Sequence, residues 1–305
     1  MKKLITAALG TSLFSCFAVS PAIAEIVSID LSGENKNQQN TILSQGVQAI
    51  LTYEQRITED GGLDSVPVLN VTGGGTTIET TATYSSFPSS QVQIAEMDQS
   101  NNLPEVIFSS FTGGAHCCNE VQVLTFHTPT SQWKVVDVGF FDGGVDGVED
   151  FDQNGVYEFI TRDNRFLYKY SSYAGSFPPV QVLQLAGLEM VDISKNTEFL
   201  PLHRSAIQAM WQSIEMAKKE GYEVNGVLAG YVATKAILGE TIPAWDLMLK
   251  RYDQDSDWGL EECRGGYNNE GECLGKMVKH GSFPSALRNF LLNADYLSKD
   301  IAPSN

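Results

Sequence analysis

Between Val66 and about residue 192 the chain is cut into short β-branched and aromatic segments by Gly, Pro and Asx turns, and after 192 that texture stops. VPVLNVTG, GTTIETTATY, SQVQIAEM, PEVIFSSF, EVQVLTFHTP, WKVVDVGFF, VYEFITR, RFLYKYS and PVQVLQLAG follow one another in that interval. Such segments, with a turn signal roughly every 8–12 residues, predict antiparallel strands. Residues 25–65 are mixed, and GVQAILTYEQRITED fits a short helix or a strand. After VDISKNTEFLP the period becomes helical. Ile207, Met210, Trp211 and Ile214 share one face, and Lys218, Lys219 and Gly221 mark its C-terminal end. NGVLAGYVATKAILGE reads as a second helix despite Gly230. PSALRNFLLNADYL reads as a further one, with Ser285 as its N-cap. Trp211 and Trp245 read as core residues.

The N-terminus has the pattern of an export signal. Lys2 and Lys3 precede an apolar run from Leu4 to Val19 and a small-residue cleavage site, Ala22-Ile23-Ala24. Residues 1–24 are therefore expected to be removed, and no later segment reaches the roughly 20 apolar residues needed to span a bilayer. Loss of the two lysines takes the net charge from -17 to about -19. A surface of that sign repels nucleic acid and anionic lipid and favours bound cations. A periplasmic or extracellular destination follows, with a protein or glycan as the class of partner.

Internal repetition gives the β region a further level of order. MDQSNNLPEVIFSSFTGG and EDFDQNGVYEFITRDNRF each carry an Asx-rich turn, then a glutamate, Glu105 or Glu158, then an apolar strand. A turn with three or four strands is about one propeller blade. The fold class expected is α+β, with an N-terminal antiparallel β-rich domain of propeller-like repeats over 25–192. A C-terminal helical domain follows over 193–305.

The second of these turns, DFDQNGVYE, places oxygen-bearing side chains at positions 1, 3, 5 and 9 and glycine at 6. Calcium takes six to eight hard oxygens. Asp150, Asp152 and Asn154 supply three side-chain donors, Gly155 permits the sharp turn, the Val156 carbonyl adds a direction, and Glu158 closes the set. An EF-hand requires Glu at position 12, where this chain has Thr161, so an EF-hand is excluded. The stretch resembles the calcium loop of integrin-alpha-like (FG-GAP or VCBS-type) repeats over roughly 90–190. The resemblance implies a structural Ca2+ in a blade-connecting loop. The earlier turn matches only in degraded form, because Asp98, Ser100 and Asn102 are out of step with the motif, and it is expected to bind nothing. A second acidic stretch, Asp253, Asp255, Asp257 and Glu261, repeats the spacing with Trp258 in place of the glycine. It is a weaker metal candidate, with an exposed acidic loop as the alternative.

Four cysteines follow the leader. Cys263 and Cys273 bracket a Gly- and Asn-rich loop suited to a disulfide in an oxidising compartment. Cys117 and Cys118 are adjacent. They form a vicinal disulfide, bond elsewhere, or, with His116, bind zinc or make a reactive cluster. There is no His-Glu-x-x-His zinc pattern, no Gly-x-Ser-x-Gly elbow and no phosphate loop; VTGGGTT reads as a hairpin turn. With 37 acids, carboxylate pairs are uninformative. Two function classes remain. The first is an exported, non-catalytic, calcium-stabilised module that binds an envelope or extracellular partner. The second is a secreted hydrolase with its site near His116 or in a cleft between the β and helical parts.

Overall fold

The computed structural model describes residues 26–32, 40–57, 61–82, 89–114, 118–266, 268 and 272–299. The leader, His116 and Cys117 lie outside the described residues. The undecided N-terminal stretch is extended. Val47, Ala49 and Leu51 are buried and alternate with half-buried Gln48, Ile50 and Thr52 along β3 (Val47–Ile57). A period of two buries one face of a strand, and it decides between the two readings of this stretch.

Strands β2 (Asn40–Ser44), β3, β4 (Leu63–Gly73) and β5 (Thr76–Thr81) form one antiparallel sheet in sequence order. VTGGGTT is the β4–β5 hairpin turn. Gly74 and Gly75 have φ of 59° and 79°, and a Cβ on Gly74 would stand 2.8 Å from the Phe126 ring. A second meander joins β6 (Ser89–Ala95), β7 (Glu105–Phe111), β8 (Asn119–His127) and β9 (Gln132–Phe141), with β1 (Val27–Ser32) on the free edge of β6. A third joins β10 (Gly147–Glu149), β11 (Glu158–Arg162), β12 (Val180–Ala186) and β13 (Glu189–Asp192).

The three sheets stack face to face, and the second lies in the middle. Val92, Ile94, Val106, Phe108 and Leu124 pack on Leu51, Leu69 and Val71 of the first sheet. Ala95, Ile107, Val121 and Val123 face Phe159, Leu183 and Leu185 of the third. Being covered on both faces, β7 is buried at every residue from Glu105 to Ser110 and β8 from Val121 to Phe126, polar side chains included. The sheets are open and stand in series, not in a closed propeller ring. The Asx-rich turn 96–104 joins β6 to β7, and the acidic loop 150–157 joins β10 to β11. Both therefore sit between the first and second strands of a meander. The equivalent link in the first sheet is the two-residue turn Gln45-Gly46.

One expected strand is absent. RFLYKYS folds as a single 3₁₀ turn, Asn164–Phe166, and a loop in which Tyr168 has φ of 56°. The buried Asp163 carboxylate caps that turn through the Arg165 N–H, holds the Arg165 guanidinium and accepts from the Tyr296 hydroxyl at 2.9 Å. Phe166 and Tyr170 enter the core of the helical half. The segment gives Phe166 and Tyr170 to the helices instead of to a sheet.

The helical half comprises α1 (Leu200–Glu220), α2 (Asn225–Ile237), α3 (Thr241–Arg251) and α4 (Phe283–Asn293), with a small hairpin of β14 (Glu261–Cys263) and β15 (Met277–Lys279). Gly221 ends α1 in the left-handed conformation, its N–H on the Ala217 carbonyl. Gly230 is obligatory, because a Cβ there would lie 1.8 Å from the Phe177 carbonyl oxygen. The N-cap of α4 is Ser282, whose hydroxyl accepts from the Ser285 N–H, so the expected cap, Ser285, lies inside the first turn of the helix. Trp245 is core, but Trp211 is 39% exposed, with the Arg251 guanidinium 5.6 Å from its ring. Among the described residues no helix is long and apolar enough to cross a membrane.

Candidate functional site

The loop between β10 and β11 is organised by its own acids. Asp150 accepts from the Asn154 N–H at 2.9 Å and from the Gly155 N–H at 3.0 Å. Asp152 accepts from the Asn154 N–H and side-chain amide at 3.1 and 3.0 Å. The Asn154 side-chain oxygen Oδ1 accepts from the Val156 N–H at 2.7 Å. Gly155 has φ of 87°, the left-handed geometry that the tight turn requires.

Glu158 begins β11 behind this loop. It is 0% exposed, and neither carboxylate oxygen has a hydrogen-bond partner. The backbone N–H groups of Phe151 and Glu158 itself lie near enough to favour the ionised form but not in hydrogen-bonding geometry. Burial, reinforced by the charges of Asp152 and Asp150, pushes the carboxyl up to about 7. Buried polar groups are nearly always satisfied, and a buried carboxylate without a partner is the costliest exception.

The earlier turn solves the same problem with protein donors. Glu105, also 0% exposed, begins β7 at the equivalent place. Its carboxylate accepts from the Met97 and Asp98 N–H groups at 2.8 and 3.1 Å, the Asn101 amide at 2.6 Å and the Thr125 hydroxyl at 2.9 Å. Burial still pushes it up to about 7, with the Asn101, Met97 and Thr125 donors pulling the other way. Asp98 is turned elsewhere, accepting from the Ser100 and Gly187 N–H groups. The two loops adjoin: the Tyr157 N–H donates to the Glu96 carbonyl at 2.8 Å.

The remaining candidates are not assembled in this way. Asp253, Asp255 and Asp257 are exposed. The Asp253 carboxylate caps the Asp255 N–H, and Glu261 is drawn away to Lys279 at 3.2 Å across the β14–β15 hairpin. Cys263 and Cys273 form a disulfide. Cys118 is also disulfide-bonded, and its backbone is held by Thr112. A cleft of about 400 Å³ does lie between the β and helical parts, lined by Arg165, Gln181, Asp192, Ser194, Lys195 and Tyr296. Its cations are already engaged, Arg165 by Asp163 and Lys195 by the Asp295 carbonyl. His203 is buried, with Nε2 2.7 Å from the Ser194 carbonyl, and His280 pairs with Glu262 at 3.2 Å.

The loop's donor set suits calcium in kind, since carboxylate, amide carbonyl and main-chain carbonyl are all hard oxygens. Among the described residues no three His, Cys, Asp or Glu side chains stand close enough together to hold a metal ion as they are placed. The orphaned oxygens of Glu158 are the feature that fits a cation. Sequence reasoning paired Glu105 with Glu158 but missed Asn101 and Thr125, whose donors separate the two turns.

Similarity to known proteins covers both halves of the chain. The model of the sll0997 C-terminal domain matches residues 203–295, from the first turn of α1 to just past α4. The probable thylakoid lumen protein sll0997 of Synechocystis sp. is 41% identical over 260 residues, covering 85% of this chain and 76% of that protein. The uncharacterized protein y4bJ of Sinorhizobium fredii is 32% identical over 212 residues, which is 70% of this chain but only 33% of y4bJ, so the chain spans about a third of that relative's length. No solved structure matches the chain.

Proposed function

We propose, since the chain belongs to the sll0997 family, that it is exported to a lumenal or periplasm-like compartment and works there as a non-catalytic module braced by calcium. Export is supported by the leader pattern, by the lumenal location in the relative's name and by the Cys263–Cys273 disulfide, a bond of oxidising compartments. The observation that carries the calcium reading is Glu158, fully buried with two unpartnered oxygens behind Asp150, Asp152 and Asn154. A cation there supplies the positive charge that Asn101, Thr125 and two backbone N–H groups partly replace at Glu105. The same place of the two loops in consecutive four-stranded meanders supports the likeness to integrin-alpha-like repeats, as open blades in series.

Binding to the native state raises stability by linkage, by about 2.7 kcal/mol at a hundredfold excess over Kd. The test is the melting temperature in excess calcium and in chelator. The wild type is expected to melt higher in calcium, and the double variant Asp150→Ala, Asp152→Ala is expected to ignore it. A wild-type curve identical in the two conditions would remove the calcium reading.

A further inference from the structure

The acidic loop also reaches the helical half. Phe151 stands between Asp150 and Asp152 in the chain, and its ring centroid lies 6.0 Å from that of Phe199. Phe199 is buried, closes the 3₁₀ turn Thr197–Phe199 and is the residue from which α1 starts. The two rings belong to one apolar cluster. The third sheet contributes Ile160, Val180 and Val182 to it, and the chain entering the helices contributes Ile193, Leu202 and Ala206. The main chain of Phe151 meanwhile passes close enough to Glu158 for its N–H to favour the ionised carboxylate. A single residue thus has its backbone at the candidate cation site and its side chain in the joint between the two halves.

Resting on the calcium reading above, we propose that cation occupancy of the loop and docking of the helical half onto the third sheet are one coupled equilibrium, transmitted by Phe151. Without a cation, three carboxylates (Asp150, Asp152 and Glu158) repel one another across a loop held by short-range Asx hydrogen bonds and tied to the earlier turn by the Gln99 amide on the Asn154 carbonyl and the Tyr157 N–H on the Glu96 carbonyl. A cation draws them together and fixes the backbone from 150 to 154. That fixes the Phe151 ring against Phe199, and with it the first turn of α1. The coupling is reciprocal, because a ligand that stabilises the docked arrangement is itself bound better by that arrangement. The clasp holds the segment where the match to the sll0997 C-terminal domain begins, at residue 203, so calcium would set how firmly that domain is attached.

Hydrogen exchange on the purified protein, with calcium or chelator, separates the outcomes, and calorimetry run in parallel reports calcium binding. Calcium is expected to slow exchange at 150–160 and also, by about five-fold or more, at 196–207, the scale of modest coupling between sites; α2 serves as the unaffected reference. At saturating calcium Phe151→Leu is expected still to give a calorimetric binding heat, at an affinity several-fold weaker as reciprocity requires, and to slow exchange at 150–160 but not at 196–207. Phe199→Leu, made from the helical side, is expected to do the same. Slowing confined to 150–160 in the wild type overturns the coupling while leaving the calcium reading intact. Full slowing at 196–207 in Phe151→Leu overturns the role of that ring. No calorimetric binding overturns the coupling and the calcium reading together. The wild-type comparison decides the coupling even if a variant fails to fold.

Discussion

Replacing Glu158 by Gln has opposite consequences with and without calcium. In the metal-free protein the carboxylate makes no hydrogen bond, and burial lifts it from 4.5 to about 7, helped by Asp152 and Asp150. At about 1.4 kcal/mol per pH unit that rise corresponds to about 3 kcal/mol. The folded value lies above the unfolded one. The contribution to stability is therefore complete below 4.5 and is lost as pH rises through about 7. Gln keeps the shape, removes the charge and breaks no hydrogen bond, because none is made. In chelator at pH 8 the variant is expected to be more stable than wild type by about 3 kcal/mol, about 6 °C in Tm at ~2 °C per kcal/mol. At pH 5 the two should nearly coincide. Calcium at a thousandfold excess over Kd adds about 4 kcal/mol to wild type and nothing to a variant that cannot bind it, which erases the advantage and slightly reverses it. The assay is thermal unfolding by circular dichroism at both pH values, in calcium and in chelator. A variant less stable than wild type in chelator at pH 8, or one with an undiminished response to calcium, refutes the reasoning.

Asn101→Ala removes the 2.6 Å amide bond to Glu105 and the acceptor for the Leu103 N–H, so it should cost about 2 kcal/mol in denaturant unfolding, equally with and without calcium. Gly230→Ala places a methyl 1.8 Å from the Phe177 carbonyl oxygen; it should lower the urea midpoint by the equivalent of about 3 kcal/mol or abolish folding, while Gly187→Ala, with open space around it, pays only for its positive φ. His203 is held below the usual imidazole range, first by burial, against the pull of the Ser194 carbonyl and Asp192, and its Nδ1 has no partner. Its folded pKa is below the unfolded one, so stability present above about pH 6.5 should be lost as pH falls through the folded value. Melting curves followed at 222 nm should show that loss in wild type and a shallower one in His203→Gln.

Features that depend only on neighbours along the chain were legible before the fold. The change of period near 192, the helix over 200–220 with its Gly221 end, and the VTGGGTT hairpin are local patterns, and all three stand in the structure. The Asx hydrogen bonds within DFDQNGVYE are local too, spanning no more than five residues, although the spacing by itself reads only as a set of calcium donors. Tertiary structure decided the rest, because the deciding atoms are remote in sequence. RFLYKYS looked like a strand until Phe166 and Tyr170 found a core 40 or more residues away, around Met210, Ile214 and Phe283. β7 is buried on both faces because two different sheets cover it, Val106 and Phe108 facing one and Ile107 the other. Glu105 and Glu158 occupy the same place in consecutive repeats, and both are buried. Glu105 meets the Thr125 hydroxyl from the neighbouring strand and the Asn101 amide from its own turn, whereas Glu158 meets no donor. A carboxylate's burial is written in the strand pattern, but its partners are set by which strand lies beside it, and that difference separates a turn that satisfies itself from one suited to a cation.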